Sequence, residues 1–203
     1  MHPKKVRTVI RRLRTPRDVQ KWIYTLKYNP SDTLRTLDGV VRTNKAHCLE
    51  AVIAAATILE YHGYPPLILD LESADYLDHT LFFYRHNGKY GTVGMSRDVG
   101  LYGRKPMYPN IRSLALSYAA PYIDHHAALM GYGVLDLRTL KHDGWRLSSK
   151  NVWYIERVLR KIPHRRLSVS SAYVRQWRHR YIEFKKQHPR MQPHFYPNQR
   201  HWS

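Results

Sequence analysis

The chain has 203 residues, 43% of them apolar and 12% aromatic, which suits one domain with a real core or one core plus an appended lobe and argues against a disordered chain. A single cysteine excludes an intramolecular disulfide and a thiolate-rich zinc site. The net charge of +19 lies entirely in the flanks: residues 1–45 carry +9, residues 46–140 carry −2, and residues 141–203 carry +12.

Residues 1–7 are basic but lack the apolar stretch of a signal peptide, and no run reaches the roughly 18 apolar residues of a membrane-spanning helix. The expectation is a soluble, cytoplasmic protein with no membrane span. Next, Thr15-Pro16-Arg17-Asp18 has the signature of a helix start: a capping hydroxyl, proline at the first helical position and a carboxylate three residues on. Val19, Trp22, Ile23 and Leu26 follow at helical spacing. Asn29-Pro30-Ser31-Asp32 ends that helix, and a short one runs through Leu34 and Leu37. Residues 49–62 are apolar almost all round, as a helix buried against a sheet requires, and Gly63 with Pro65-Pro66 stops it. Residues 67–71 form a short apolar run, an inner strand, with Asp70 as a capping or turn carboxylate at its end. The clearest local signal is a hairpin: residues 79–84, the turn Asn87-Gly88, then residues 89–95. The remainder reads as mainly helical: residues 111–122, residues 153–162, and a helix from Ser170 or Ser171 to about residue 187 with one aromatic and one cationic face. Residues 189–203, rich in Pro, His and Gln, read as a flexible tail.

Chemistry concentrates at one place. Cys48 sits in Asn44-Lys45-Ala46-His47-Cys48-Leu49-Glu50, where a loop becomes a helix, and Asp78-His79 opens the hairpin about thirty residues on. A helix N-terminus offers unpaired N–H groups and positive potential to a thiolate. A nearby imidazole supplies a base. The bland alternatives are an inert core thiol and a structural histidine, the commonest fates of these residue types. The other histidines are scattered, without a His-x-x-x-His helix or a Cys/His quartet, so no metal site is expected, and no glycine-rich phosphate loop suggests a nucleotide. No cofactor is expected.

The order of helix-borne cysteine, strand-borne histidine and a third polar residue on the next strand resembles the transglutaminase-like branch of the papain-type cysteine enzymes. The likeness rests on residues 46–50, on Gly63-Tyr64-Pro65-Pro66-Leu67-Ile68-Leu69-Asp70-Leu71, and on Asp78-His79 with its hairpin. A looser likeness to bacterial transglutaminase-like proteins of unassigned function extends over residues 104–122 and 152–167. The resemblance implies acyl transfer or amide and ester hydrolysis, with Cys48 as nucleophile and His79 as general base. The family usually places an aspartate about fifteen residues after the histidine, and here that position is Gly94. A two-residue hairpin loop pairs His86 with Lys89 and puts Ser96 opposite His79, so that Gly94, Ser96 and Asp98 share its strand face. Asp98 is the preferred third member; Ser96, or none, is the alternative.

The expected architecture is an α+β fold in which the buried Cys48 helix packs on a small antiparallel sheet of about three strands. Residues 1–40 form a basic leader with helices, 41–125 the Cys/His core, 126–188 a basic helical lobe and 189–203 the tail. The expected substrate is a protein or peptide amide, or a small acyl donor. A competing class is a non-catalytic cationic protein that uses the basic lobe to bind nucleic acid or an acidic partner on a degenerate scaffold.

Overall fold

The computed structural model describes residues 4–203, so Met1, His2 and Pro3 of the basic leader lie outside the described residues. Helix α1 covers Lys4–Arg12 and α2 covers Pro16–Ile23. The start of α2 is a reciprocal cap: the Asp18 N–H donates to Thr15 Oγ1 at 3.2 Å, and the Thr15 N–H donates to Asp18 Oδ2 at 3.1 Å. A two-residue strand β1 (Lys27–Tyr28) pairs in parallel with β2 (Lys45–Ala46), on either side of α3 (Leu37–Thr43). Helix α4 (Cys48–Tyr61) follows directly, and every residue from Leu49 to Leu59 is buried. The chain leaves it through Gly63 at φ +85°, a left-handed conformation that favours glycine.

The main sheet contains β3 (Leu67–Ser73), β4 (His79–His86), β5 (Lys89–Val93), β6 (Arg104–Tyr108), β7 (Leu129–Asp136) and β8 (Arg165–Arg166). Their order is β6-β5-β4-β3-β7-β8, antiparallel throughout. The fold is therefore α+β, with six strands where about three were expected. Strand β7 escapes sequence reading because Gly131 and Gly133 break its apolar pattern. A Cβ at Gly133 would lie 2.7 Å from Ile162 Cδ1 and 3.0 Å from His164 Nε2, so glycine there lets residues 162–164 cross the strand closely. Helices α5 (Ile111–Leu116), α6 (Ala119–Tyr122), α7 (Tyr154–Leu159) and α8 (Ser171–Gln187) complete the chain.

Strand alternation divides the core in two. Ile68, Phe82 and Tyr84 join α4 and the N-terminal helices in one apolar cluster. Leu69, Leu71, Leu81 and Phe83 join α5 and α6 in the other. Two expectations are corrected here. Asp70 is not a turn residue; it lies within β3, buried, between Thr80 of β4 and Gly133 of β7. The Pro/His-rich segment 189–203 is seated on the fold and not left as a flexible tail. Tyr196 is buried, Phe195 stacks on Trp177, and Trp202 bridges to Arg104. Its aromatics supply the reason, since α8 has no buried residue of its own and this segment covers its aromatic face. Among the described residues, no helix is long and apolar enough to cross a membrane.

The start of α4 is fixed by Glu50, whose side chain is fully buried. Its carboxylate accepts from Arg35 Nε at 2.7 Å, Arg35 Nη2 at 2.9 Å and the Arg35 N–H at 2.9 Å. It also accepts from Thr33 Oγ1, Asn29 Nδ2 and the His47 N–H. Burial disfavours this carboxylate, but the Arg35 bonds and the remaining donors outweigh it and hold its pKa at about 2. The stability this group contributes is present above its unfolded value near ~4.3 and is lost as pH falls towards about 2. Replacing Glu50 by Ala leaves Arg35 without its partner and should cost roughly 3–5 kcal/mol in urea denaturation at pH 7. The Glu50→Gln protein should lose the parent's stability change between about pH 4 and pH 2.

Candidate active site

The paired strands β1 and β2 lead the chain into α4 so that Cys48 is the first helical residue and His47 the cap position before it. Cys48 is half-buried. The rings of His47 and His79 are the two groups whose interactions favour its thiolate. The aligned hydrogen bond of each ring, however, is to a carbonyl: His47 Nε2 donates to Thr33 O at 2.6 Å, and His79 Nε2 donates to Leu101 O at 2.8 Å. A carbonyl only accepts, so Nε2 carries the proton in each neutral ring.

Burial pushes the Cys48 thiol up, but hydrogen bonding to His47 and His79 and the charges of both rings overcome it. The net effect holds the thiol well below its ordinary value. Burial likewise opposes a charged His47, yet Cys48, Glu50 and the Thr33 carbonyl raise its pKa overall. Each partner thus favours the charged form of the other, a thiolate beside an imidazolium.

Asp98 does not meet His79. Strand β5 ends at Val93, paired with Phe82, and never extends to Ser96. The buried side chain of Gln20 stands in for a strand partner at the next residue. The Gly94 N–H donates to Gln20 Oε1 at 2.9 Å, and Gln20 Nε2 donates to Gly94 O at 3.1 Å. The chain then turns away through the 3-10 turn Val99–Leu101, which presents the Leu101 carbonyl to His79. Ser96 Oγ accepts from the Asp98 N–H and has no hydrogen bond to the ring. Nor could an aspartate occupy position 94 unchanged, because its Cβ would lie 2.5 Å from Leu81 Cδ2.

Arg104 braces that turn. It is 1% exposed, donates from Nη2 to Gly100 O at 2.6 Å and from Nη1 to Tyr102 O at 2.9 Å, and stacks on Tyr118 with its Cζ 4.0 Å from the ring centre. It is a positioning residue for Leu101, and through it for His79.

A second imidazole–carboxylate pair lies in the same region. His164 Nε2 is 3.1 Å from Asp70 Oδ2. Burial raises the Asp70 carboxyl to about 6; the His164 bond opposes the rise, while Asp78 and Cys48 add to it. Asp78 itself is occupied in accepting from the Ser73 N–H at 2.8 Å. Tyr28, half-buried, is raised by burial first and then by the Cys48 charge, with Arg97, whose guanidinium lies over its ring, acting the other way. Among the described residues, no group of three His, Cys, Asp or Glu side chains could hold a metal ion.

No family model and no curated protein matches the chain. Its chemistry has to be read from the site itself. Of the groups that act on the Cys48 thiol, His79 was among the expected site residues and His47 was not, and Leu101 O, Gln20 and Arg104 were not anticipated either. His47 had a legible signal, an imidazole at the cap position beside the lone thiol. The Leu101 carbonyl had none, since every residue carries one.

Removing the Asp98 carboxylate (Asp98→Asn) or the Ser96 hydroxyl (Ser96→Ala) should leave the pH profile of Cys48 alkylation by iodoacetamide unchanged. Gln20→Leu strands two buried backbone groups of Gly94, and should lower stability by about 1–3 kcal/mol and shift the alkylation profile upward in pH.

Proposed function

We propose that this protein carries out cysteine-dependent acyl transfer, or amide or ester hydrolysis, through a thioester on Cys48 with His79 as general base. The observation that carries the reading is a half-buried thiol at the first residue of α4, flanked by two imidazoles whose Nε2 protons are committed to carbonyls. The transglutaminase-like resemblance of residues 46–50, 63–71 and 78–79 supports the same reading.

The thiol proton passes to His79 Nδ1 before the substrate is engaged, and the thiolate sulfur then attacks the substrate carbonyl carbon. The C=O π pair moves to oxygen, and the resulting oxyanion lies near the Cys48 N–H, an unpaired donor of the first helical turn. Collapse re-forms C=O and breaks the bond to the leaving nitrogen or oxygen, which receives the proton from His79. Water or an amine then attacks the thioester, loses its proton to His79, and releases Cys48 as the thiol or thiolate. His47 has the electrostatic part, since its raised pKa favours an imidazolium beside the sulfur. The backbone carbonyl of Leu101 takes the orienting place that the family gives to a carboxylate. A carbonyl fixes the ring and its tautomer but adds no negative charge.

The cationic-binding reading draws less support from the side chains of α8. Arg178 donates to Asp124 O and Ala127 O, Lys185 donates to Pro189 O and Met191 O, and Arg180 stacks over Trp177 and Phe195. Several of the cations that would form a polyanion track are thus engaged within the fold.

With p-nitrophenyl acetate the parent should give a stoichiometric burst and an acetyl adduct on Cys48, seen by mass spectrometry. Cys48→Ser should give neither, and His79→Ala should slow the burst by roughly 10²–10⁴-fold. A full burst in His79→Ala would remove His79 from the mechanism.

A further inference from the structure

Away from the thiol, strand β6, helices α5 and α6 and residues 197–202 enclose a cleft of about 320 Å³. Neither Cys48, His47 nor His79 lines it. Its polar wall contains Arg104, Tyr108, Ser113, Ser117 and His201, and Trp202 supplies an aromatic wall.

Among the described residues, the charge of this wall meets aromatic rings and no carboxylate: the Arg104 Cζ lies 4.0 Å from the Tyr118 ring centre and 5.2 Å from that of Trp202. Arg104 is buried, yet among the described residues it has no carboxylate partner; its hydrogen bonds go to the carbonyls of Gly100, Tyr102 and Gly103. A guanidinium has five N–H donors, and its Nε makes none of these bonds. Burial disfavours the cation, and only tyrosines oppose that effect. Lys105, beside it, donates to Arg200 O and has no ion-pair partner among the described residues. His201 lies 3.4 Å from the Tyr108 hydroxyl through Nδ1, and its Nε2 accepts from Arg200 Nε at 3.4 Å, a long contact that an anion would replace. Its imidazolium is disfavoured by burial first and then by Arg200, Arg104 and Lys105. A buried cation without a counter-charge is costly, and an anion seated beside it removes that cost.

We propose that this cleft binds a small organic anion, with its phosphate or carboxylate head on Arg104 and His201 and its apolar body against Trp202. The two hydroxyls of Ser113 and Ser117 and that of Tyr108 line the same space and can donate to the remaining oxygens of the head. The volume suits a molecule of a few to some twenty heavy atoms and is too small for a folded partner. No residue of the cleft touches the thiol, and Arg104 is shared with that site only as the brace of the 100–103 turn.

The test is isothermal titration of the full chain with phenyl phosphate and with benzoate, and with phenol as the uncharged control. At least one of the two anions should bind saturably with Kd below about 1 mM, and phenol should not. The tighter anion identifies the head group as phosphate or carboxylate. His201→Leu, at the partly exposed edge of the cleft, should weaken binding by roughly tenfold or more, the loss of one charge-assisted contact, while circular dichroism stays unchanged. Arg104→Met should abolish binding, although its loss also releases the 100–103 turn. Absence of saturable binding by both anions overturns the proposal. Phenol binding as tightly as phenyl phosphate, or undiminished binding in a folded His201→Leu protein, overturns it equally.

Discussion

The buried carboxylate of Glu50 holds together the part of the molecule on which the site depends. It gathers donors from Asn29, Thr33, Arg35 and His47, and so ties the loop before α3 to the first turn of α4. Three consequences meet at Cys48. The carboxylate occupies the His47 N–H, which fixes the cap position, and its loop carries the Thr33 carbonyl that orients the His47 ring. Its charge also favours the imidazolium of His47, which in turn favours the thiolate. One ion-paired carboxylate thereby sets the geometry and part of the electrostatics of the thiol without touching it.

The second constraint acts at the end of β5. Gln20 takes the backbone of Gly94 out of strand pairing, and the chain turns so that Leu101 faces His79. Arg104 then holds that turn by its carbonyls. The imidazole is oriented by a backbone group whose position depends on two buried side chains, neither adjacent to it in sequence. This arrangement fixes a tautomer as firmly as a side chain could, and it tolerates the glycine at position 94 because nothing is asked of that residue's side chain. Positioning through packed secondary contacts of this kind makes a site sensitive to substitutions well away from the reacting atoms.

Much of this was legible in the sequence, and for identifiable reasons. Thr15-Pro16-Arg17-Asp18 caps α2 because its chemistry is local, and Asn87-Gly88 sets the hairpin because Gly88 at φ +75° and Asn87 at φ +47° accept the left-handed turn. The apolar run after Cys48 became α4 as its composition required. The parts that escaped reading depend on long-range placement. Strand β7 is broken by glycines that only make sense once Ile162 and His164 lie across them. Extrapolating the hairpin register past Val93 put Ser96 and Asp98 near His79, because nothing in residues 94–98 announces that Gln20, over seventy positions earlier, intercepts the strand. The seating of residues 189–203 likewise depends on the bare aromatic face of α8.

The most direct measurement is the thiolate absorbance of the native protein in the ultraviolet as a function of pH, with the Cys48→Ser protein as the blank. The arrangement of His47, His79 and the α4 N-terminus predicts a single transition well below the ~8.5 of a free thiol, so that Cys48 is thiolate at neutral pH. A transition at or above ~8.5 would contradict the account, because burial of the sulfur would then outweigh both imidazoles and no activated nucleophile would exist.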